Sequence, residues 1–254
     1  MLTVSRSVAG LATIKPRVRA LLPGVSSSHV SEALAAAAGF RTHAALQAVQ
    51  LDAGPDDVAL SDERFTARLD ELGHRAAWPG FAVIEREVLA ASPLKSTRAR
   101  AWRNVMAAAV NAGLKRGLFS LDPKAPHWPG HAETPPTDRA SVEFEALLLG
   151  GMPARVYVGD LGSGELSVHV VLWPKPGTTA IRDGFHQAAP RGEVDAAGWL
   201  ERRKGAWLQT SHRERDGRTV HHEGMLAIKR HRLDQVAGAT VMPLGFADGG
   251  KFFM

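Results

Sequence analysis

The chain has 254 residues, 44% hydrophobic and 22% charged, with 25 glycines, 15 prolines and no cysteine. That balance is globular: it excludes collagen-like, disulfide-stapled and wholly disordered chains, and the missing cysteine removes zinc fingers, thiol catalysis and iron–sulfur clusters together. A net charge of +5 with a pI near 9.9 permits a nucleic-acid partner without demanding one.

The pattern from residue 26 onward is helical. Ser28 precedes an alanine-rich run, Val30 to Ala38, that Gly39 closes, and Thr42 can cap a short helix through Ala45, Leu46 and Val49. Ser61 caps a third helix, with Asp62 and Glu63 in its first turn, Phe65, Leu69 and Leu72 on one face and Gly73 at its end. Trp78–Pro79–Gly80 breaks the chain before an apolar segment, Phe81 to Ala91. The clearest amphipathic stripe runs from Ser96 to Arg116, through Trp102, Val105, Met106, Ala109, Val110 and Leu114. Its first turn carries Arg98, Arg100 and Arg103 against the helix dipole, which asks for an acidic or phosphate neighbour or for exposure.

Five prolines between 121 and 138 read as a linker or extended strap. Beyond it the period changes to two. Ala154–Val158 and Leu166–Trp173 are expected strands around a Gly159–Gly164 turn, and Ala206–Arg215 and Arg218–Ile228 a hairpin around Asp216–Gly217. Arg182–Glu201 reads as loop plus a short helix ending near Trp199 and Leu200, and Ala239–Leu244 as one more strand. The expected fold class is α+β, a helical N-terminal half followed by a mainly antiparallel sheet. The expected division is a helical domain over 1–120, a linker over 121–138 and an α+β domain over 139–254.

Charge is unevenly placed. Residues 1–50 carry five Lys/Arg against one Glu, the stretch 51–200 is slightly acidic, and Arg202–Arg232 holds nine basic side chains, three acidic ones and four histidines. Such clusters hold phosphates, so Arg202, Arg203, Lys204, Arg213, Arg215, Arg218, Lys229, Arg230 and Arg232 form the expected contact set for DNA or a protein partner. Trp199 and Trp207 flank the first cluster and are either stacking platforms or core anchors. Residues 31–46 have the outline of a helix-turn-helix with Ala35 four before Gly39. Arg41 and His43 would then lie early in the reading helix, with Thr42 and Gln47 beside them. An ordinary helical corner fits the same residues.

The stretch Ser28–His29, Glu32–Ala35, Ala38–Leu46, then Asp62–Phe65, Arg68–Leu69 and Leu72–Gly73, resembles a short helical module at the N-termini of uncharacterised proteins encoded on proteobacterial plasmids and integrative elements. It covers residues 26–73 and brings no catalytic residue with it. The resemblance implies an accessory protein of a mobile element, acting in plasmid maintenance, in control of conjugation, or in fertility inhibition of a competing plasmid.

Enzyme chemistry has one candidate. A two-residue Asp216–Gly217 turn would set His212 directly opposite His221, with Glu223 on the same face, a set able to bind a divalent metal or act as acid and base in a hydrolase or nuclease. His127 and His131 have metal spacing but enclose Pro129–Gly130, His169 reads as an exposed strand position, and Asp56–Asp57 reads as charge at a helix start. Gly245–Lys251 has Walker A spacing, but Phe252 stands where Ser or Thr must hold magnesium, so that reading is rejected. No catalytic residue and no cofactor is assigned. No apolar run reaches the roughly 18 to 20 residues of a membrane span, and Arg6 and Lys15 interrupt any signal peptide, so the expected compartment is the cytoplasm.

Overall fold

The computed structural model describes residues 1–49, 54–122, 141–162, 164–177, 191–202, 205–213, 219–221, 226–248 and 252, with the backbone alone at 162, 211–213 and 219–221. The linker expected at 121–138 lies almost wholly outside them.

The N-terminal half opens with elements that the sequence did not announce, strand β1 (Leu2–Ser5) and helix α1 (Val8–Leu21). Ser7 starts α1 by accepting the Gly10 N–H at 3.0 Å. Gly10 is required by proximity: a Cβ there would lie 2.0 Å from the Ser5 carbonyl oxygen. Helix α2 (Ser27–Ala37) is capped by Ser26, two residues before the expected Ser28. It ends at Gly39, φ +89, where Phe40 donates back to the Ala35 carbonyl. Helix α3 (His43–Gln47) is capped by Thr42 and spans five residues. Strand β2 (Asp57–Ala59) precedes α4 (Asp62–Glu71), which Ser61 caps, and α5 (Phe81–Ala91) follows. The Asp62 carboxylate accepts from Trp78 Nε1 at 2.6 Å and the Phe81 N–H at 2.8 Å, closing an aromatic cluster of Phe65, Trp78 and Phe81. These helices enclose one apolar core with Ile14, Val18, Val30, Leu34, Phe65, Leu69 and Ile84 at its centre.

Helix α6 (Thr97–Lys115) begins a second core. It is buried on nearly every side, as its run of Ala107, Ala108, Ala109 and Val110 requires. One side rests on a seven-stranded sheet built from β3 (Ser141–Leu148), β4 (Met152–Gly162), β5 (Glu165–Leu172), β6 (Val194–Glu201), β7 (Ala206–Gln209), β10 (Leu226–Ile228) and β12 (Phe246–Ala247). The order is β12-β7-β6-β5-β4-β3, with β10 also paired to β6. All pairs are antiparallel except β12–β7. Trp102 donates to the Ala197 carbonyl at 2.8 Å and covers Gly198, where a Cβ would come within 2.6 Å of its ring. Against other sides of α6 lie helix α7 (Arg230–Ala237) and the small sheet in which β1 pairs antiparallel with β2 and parallel with β11 (Thr240–Val241). Buried asparagines hold this return segment. Asn104 donates to the Val236 and Ala239 carbonyls, and Asn111 bonds Met242 and Leu244. Arg103 finds the acidic neighbour its position called for, Asp248 at 2.7 Å.

The chain is therefore α+β with helices mostly before and strands mostly after residue 120. Three local expectations change. Residues 194–201 form β6, not the end of a helix; flanking strands β5 and β7 supply its hydrogen bonds, so the Ala-rich composition does not decide. Strand β4 continues to Gly162, past the expected turn at Gly159. The hairpin expected over 206–228 divides: β7 and β10 both join β6, while β8 (Ser211–Arg213) and β9 (Thr219–His221) pair as a separate ribbon.

The two cores are tied by a buried charged junction. Asp56 and Asp57, read from sequence as helix-start charge, are each 2% exposed at the start of β2. Asp56 takes a bidentate bond from Arg116 at 2.9 and 3.1 Å and the Leu147 N–H at 3.0 Å, with Lys115 Nζ 3.6 Å away. Asp57 accepts the N–H groups of Leu149 at 2.9 Å and Gly150 at 2.6 Å. Those bonds hold the β3–β4 turn in which Leu149, a non-glycine residue, adopts φ +51. Burial pushes the Asp57 carboxyl up to about 6 against those N–H groups, the Asp56 charge adds to the rise, and Lys115 opposes it. Burial likewise holds the Lys115 ammonium below its ordinary range, with Asp56 opposing.

Candidate nucleic-acid interface

The exposed basic residues that the structure gathers lie where β5 ends and α7 begins. Leu172 is followed by Trp173, held at φ +48 by its N–H bond to the Pro153 carbonyl at 2.8 Å. Backbone bonds stitch the neighbouring segments into one rim: Lys175 to Arg191, Glu193 to Leu172, and Lys229 to Glu193. Glu193 sits at the centre. It accepts Lys229 Nζ at 3.1 Å and Arg232 Nε at 2.5 Å, and His231 Nε2 lies 3.5 Å away. Those two donors, Arg232 first, hold the Glu193 carboxyl down to about 2. The Arg232 guanidinium carbon lies over the Trp173 ring, 3.9 Å from its centroid. Arg230 and Lys175 are both exposed, and Arg230 has no hydrogen bond or ion pair among the described residues. Two cations, Lys229 and Arg232, thus hold one carboxylate, with Arg230 next to them on α7 and Asp234 one turn further along it. The first turn of α7 has no side-chain cap, and the Arg232 N–H there donates to the Lys229 carbonyl at 2.9 Å.

Of the expected contact set, Lys229, Arg230 and Arg232 come together here. Arg202 does not: it is 0% exposed, donates through Nη1 to the Ser120 carbonyl at 3.2 Å, and burial holds its guanidinium below the ordinary range. Its long stem and position at the end of β6 turn it inward, so it cannot touch a partner. Trp199 is 1% exposed, a core anchor, and Trp207 is half-buried on β7. Arg41 is exposed and His43 half-buried beside α3, whose first N–H is held by Glu32 at 3.2 Å; the would-be reading helix is a turn and a half long. Arg203, Lys204, Arg215, Arg218 and Glu223 lie outside the described residues, as do His127 and His131, and at Arg213 only the backbone is described.

The hairpin chemistry also changes. In the β8–β9 ribbon Ser211 faces His221 and His212 faces Val220, one residue away from the expected register. A one-residue slip moves alternate positions to opposite faces, so positions 212 and 221 do not oppose each other. Among the described residues no group of three or more His, Asp or Glu is arranged to hold a metal.

Sequence reasoning missed Trp173, Lys175, Glu193 and His231 as parts of this rim, and it missed the polar layer beside it. On the sheet face away from α6, Glu165 pairs directly with Glu201, Ser167 with Trp199, and His169 with both Ala197 and Tyr157. His169 was expected to be exposed but is 3% exposed, and burial, helped by the Arg191 charge, lowers it to about 4, so its ring is neutral at pH 7. The signal was present: Glu165, Ser167 and His169 alternate with Leu166, Val168 and Val170. The chain matches no protein-family model, no curated protein and no solved structure.

Proposed function

We propose that the protein acts by binding, and that its partner is a polyanion, DNA phosphates foremost, held by the rim around Glu193. The supporting observation is the pairing of Lys229 and Arg232 with one carboxylate, with Arg232 set over Trp173 and with Lys175 and Arg230 exposed on the segments bonded to it. A phosphate entering the rim would compete with Glu193 for Lys229 and Arg232 while meeting the exposed Arg230 directly. The likeness of residues 26–73 to a mobile-element module adds the context of plasmid maintenance or transfer.

The test is fluorescence anisotropy of a labelled duplex over a salt series, with wild type and the triple variant Lys175→Ala, Lys229→Ala, Arg230→Ala. Binding should fall with salt at roughly −0.9 in log–log slope per phosphate neutralised, and the variant should lose about three such contacts. Binding that ignores salt, or a variant that binds as wild type does, rejects the assignment. A stable complex with a transfer-apparatus protein and no duplex binding would transfer the rim to a protein partner.

A further inference from the structure

Two imidazoles meet in the N-terminal half. His29 Nδ1, in the first turn of α2, stands 2.7 Å from His74 Nε2, just past the end of α4. The rings meet edge to face with centroids 5.0 Å apart, and both residues are half-buried. Each backbone is fixed independently: the His29 N–H by Ser26 Oγ at 3.3 Å, the His74 N–H by the Leu69 carbonyl at 2.9 Å. The carrier helices are also joined apart from the histidines, because Arg68 of α4 bonds Glu32 of α2 at 3.3 Å and Glu71 at 2.8 Å. Two ring nitrogens are therefore held face to face by a frame that does not depend on their mutual bond.

We propose that His29 and His74 are the protein ligands of a site for a divalent transition cation, zinc in particular, whose remaining positions are taken by water. Zinc–nitrogen bonds of 2.0–2.1 Å in tetrahedral geometry set two imidazole nitrogens about 3.3 Å apart, so entry of the ion requires the nitrogens to part by about 0.6 Å as both half-buried rings rotate. The hydrogen now shared between the rings moves to the donor's other nitrogen, leaving two neutral imidazoles with lone pairs facing the metal. Imidazole donors favour zinc or copper over magnesium or calcium, and a chain without cysteine has no thiolate to compete for the ion. With only two protein ligands the site is exchangeable, suited to sensing or delivery more than to permanent structure.

The test uses the untagged full chain with ZnCl2. Because the chain has eleven histidines, the reading is a difference: wild type should bind one more equivalent of zinc than His29→Ala or His74→Ala. Saturating zinc should raise its melting temperature by several degrees where it does not raise theirs, and His43→Ala should behave as wild type. Copper(II) in place of zinc should show nitrogen hyperfine coupling from two imidazoles in wild type alone. Equal stoichiometry in wild type and variants, or no response at millimolar zinc, overturns the proposal. Should a variant fail to fold, zinc protection of His29 and His74 in wild type against diethyl pyrocarbonate decides instead; equal modification with and without zinc also overturns it.

Discussion

Replacing Asp57 by Asn keeps an acceptor of the same shape under the β3–β4 turn and removes the carboxyl that burial raises from 3.8 to about 6. In the unfolded chain this carboxyl ionises near its ordinary value, whereas the folded protein holds its proton until about pH 6. The contribution to stability is thus fully present below about pH 4 and is lost as pH rises to 6. At about 1.4 kcal/mol per pH unit, the loss amounts to about 3 kcal/mol. Asn does not titrate and escapes that loss. It offers one oxygen to the two N–H groups of Leu149 and Gly150, which costs about 1–3 kcal/mol at every pH. Chemical denaturation from about pH 4 to 7.5 should therefore find Asp57→Asn the less stable protein in acid, with the difference moving by about 3 kcal/mol in its favour by neutral pH. Titrations common to both proteins cancel in this comparison. A variant whose stability falls in parallel with wild type over that window would show that Asp57 does not carry this loss.

Three further perturbations probe other contacts. Trp102→Ala should cost about 3–5 kcal/mol in denaturation, since it empties a fully buried site and orphans the Ala197 carbonyl. Gly198→Ala, which pushes a methyl within 2.6 Å of the same ring, should cost about 1–3 kcal/mol; a neutral result would mean that α6 can slide on the sheet. Glu193→Gln should strengthen duplex binding at low salt, by freeing Lys229 and Arg232 for phosphate, with the gain shrinking as salt rises. Weaker binding in that variant would assign Glu193 to holding the rim in shape.

Local signals were legible and distant ones were not. Ser61, Thr42 and Gly39 announce their helix ends because a cap needs only neighbours three or four residues away. The α6 stripe reads correctly for the same reason. Helix α1 was hidden by Pro16 in its middle, and β6 by alanines that a helix would also accept. Asp56 and Asp57 look like ordinary acids ahead of a helix. Only the turn at 147–150 and the end of α6, both far along the chain, bury them. At the basic end, composition identified the segment but not the direction of each side chain. Lys229 and Arg230 are exposed at a helix start and Arg232 rests on Trp173, while Arg202, alike in sequence, closes the core. The carboxylate that organises them, Glu193, is remote from that basic run.

The parallel pairing of β1 with β11 joins Leu2 to Thr240 and Thr3 to Val241 across almost the whole chain. At about 5–20 residues per second, a ribosome takes on the order of 12–50 s to deliver the second strand after the first. Throughout that interval β1 can pair with β2 on one side only, and its other edge stays open to any extended segment, including one from a neighbouring nascent chain. The segment around Thr240 therefore acts as an edge guard that arrives late, and a ribosome pause before it would lengthen the time in which two growing copies can pair wrongly.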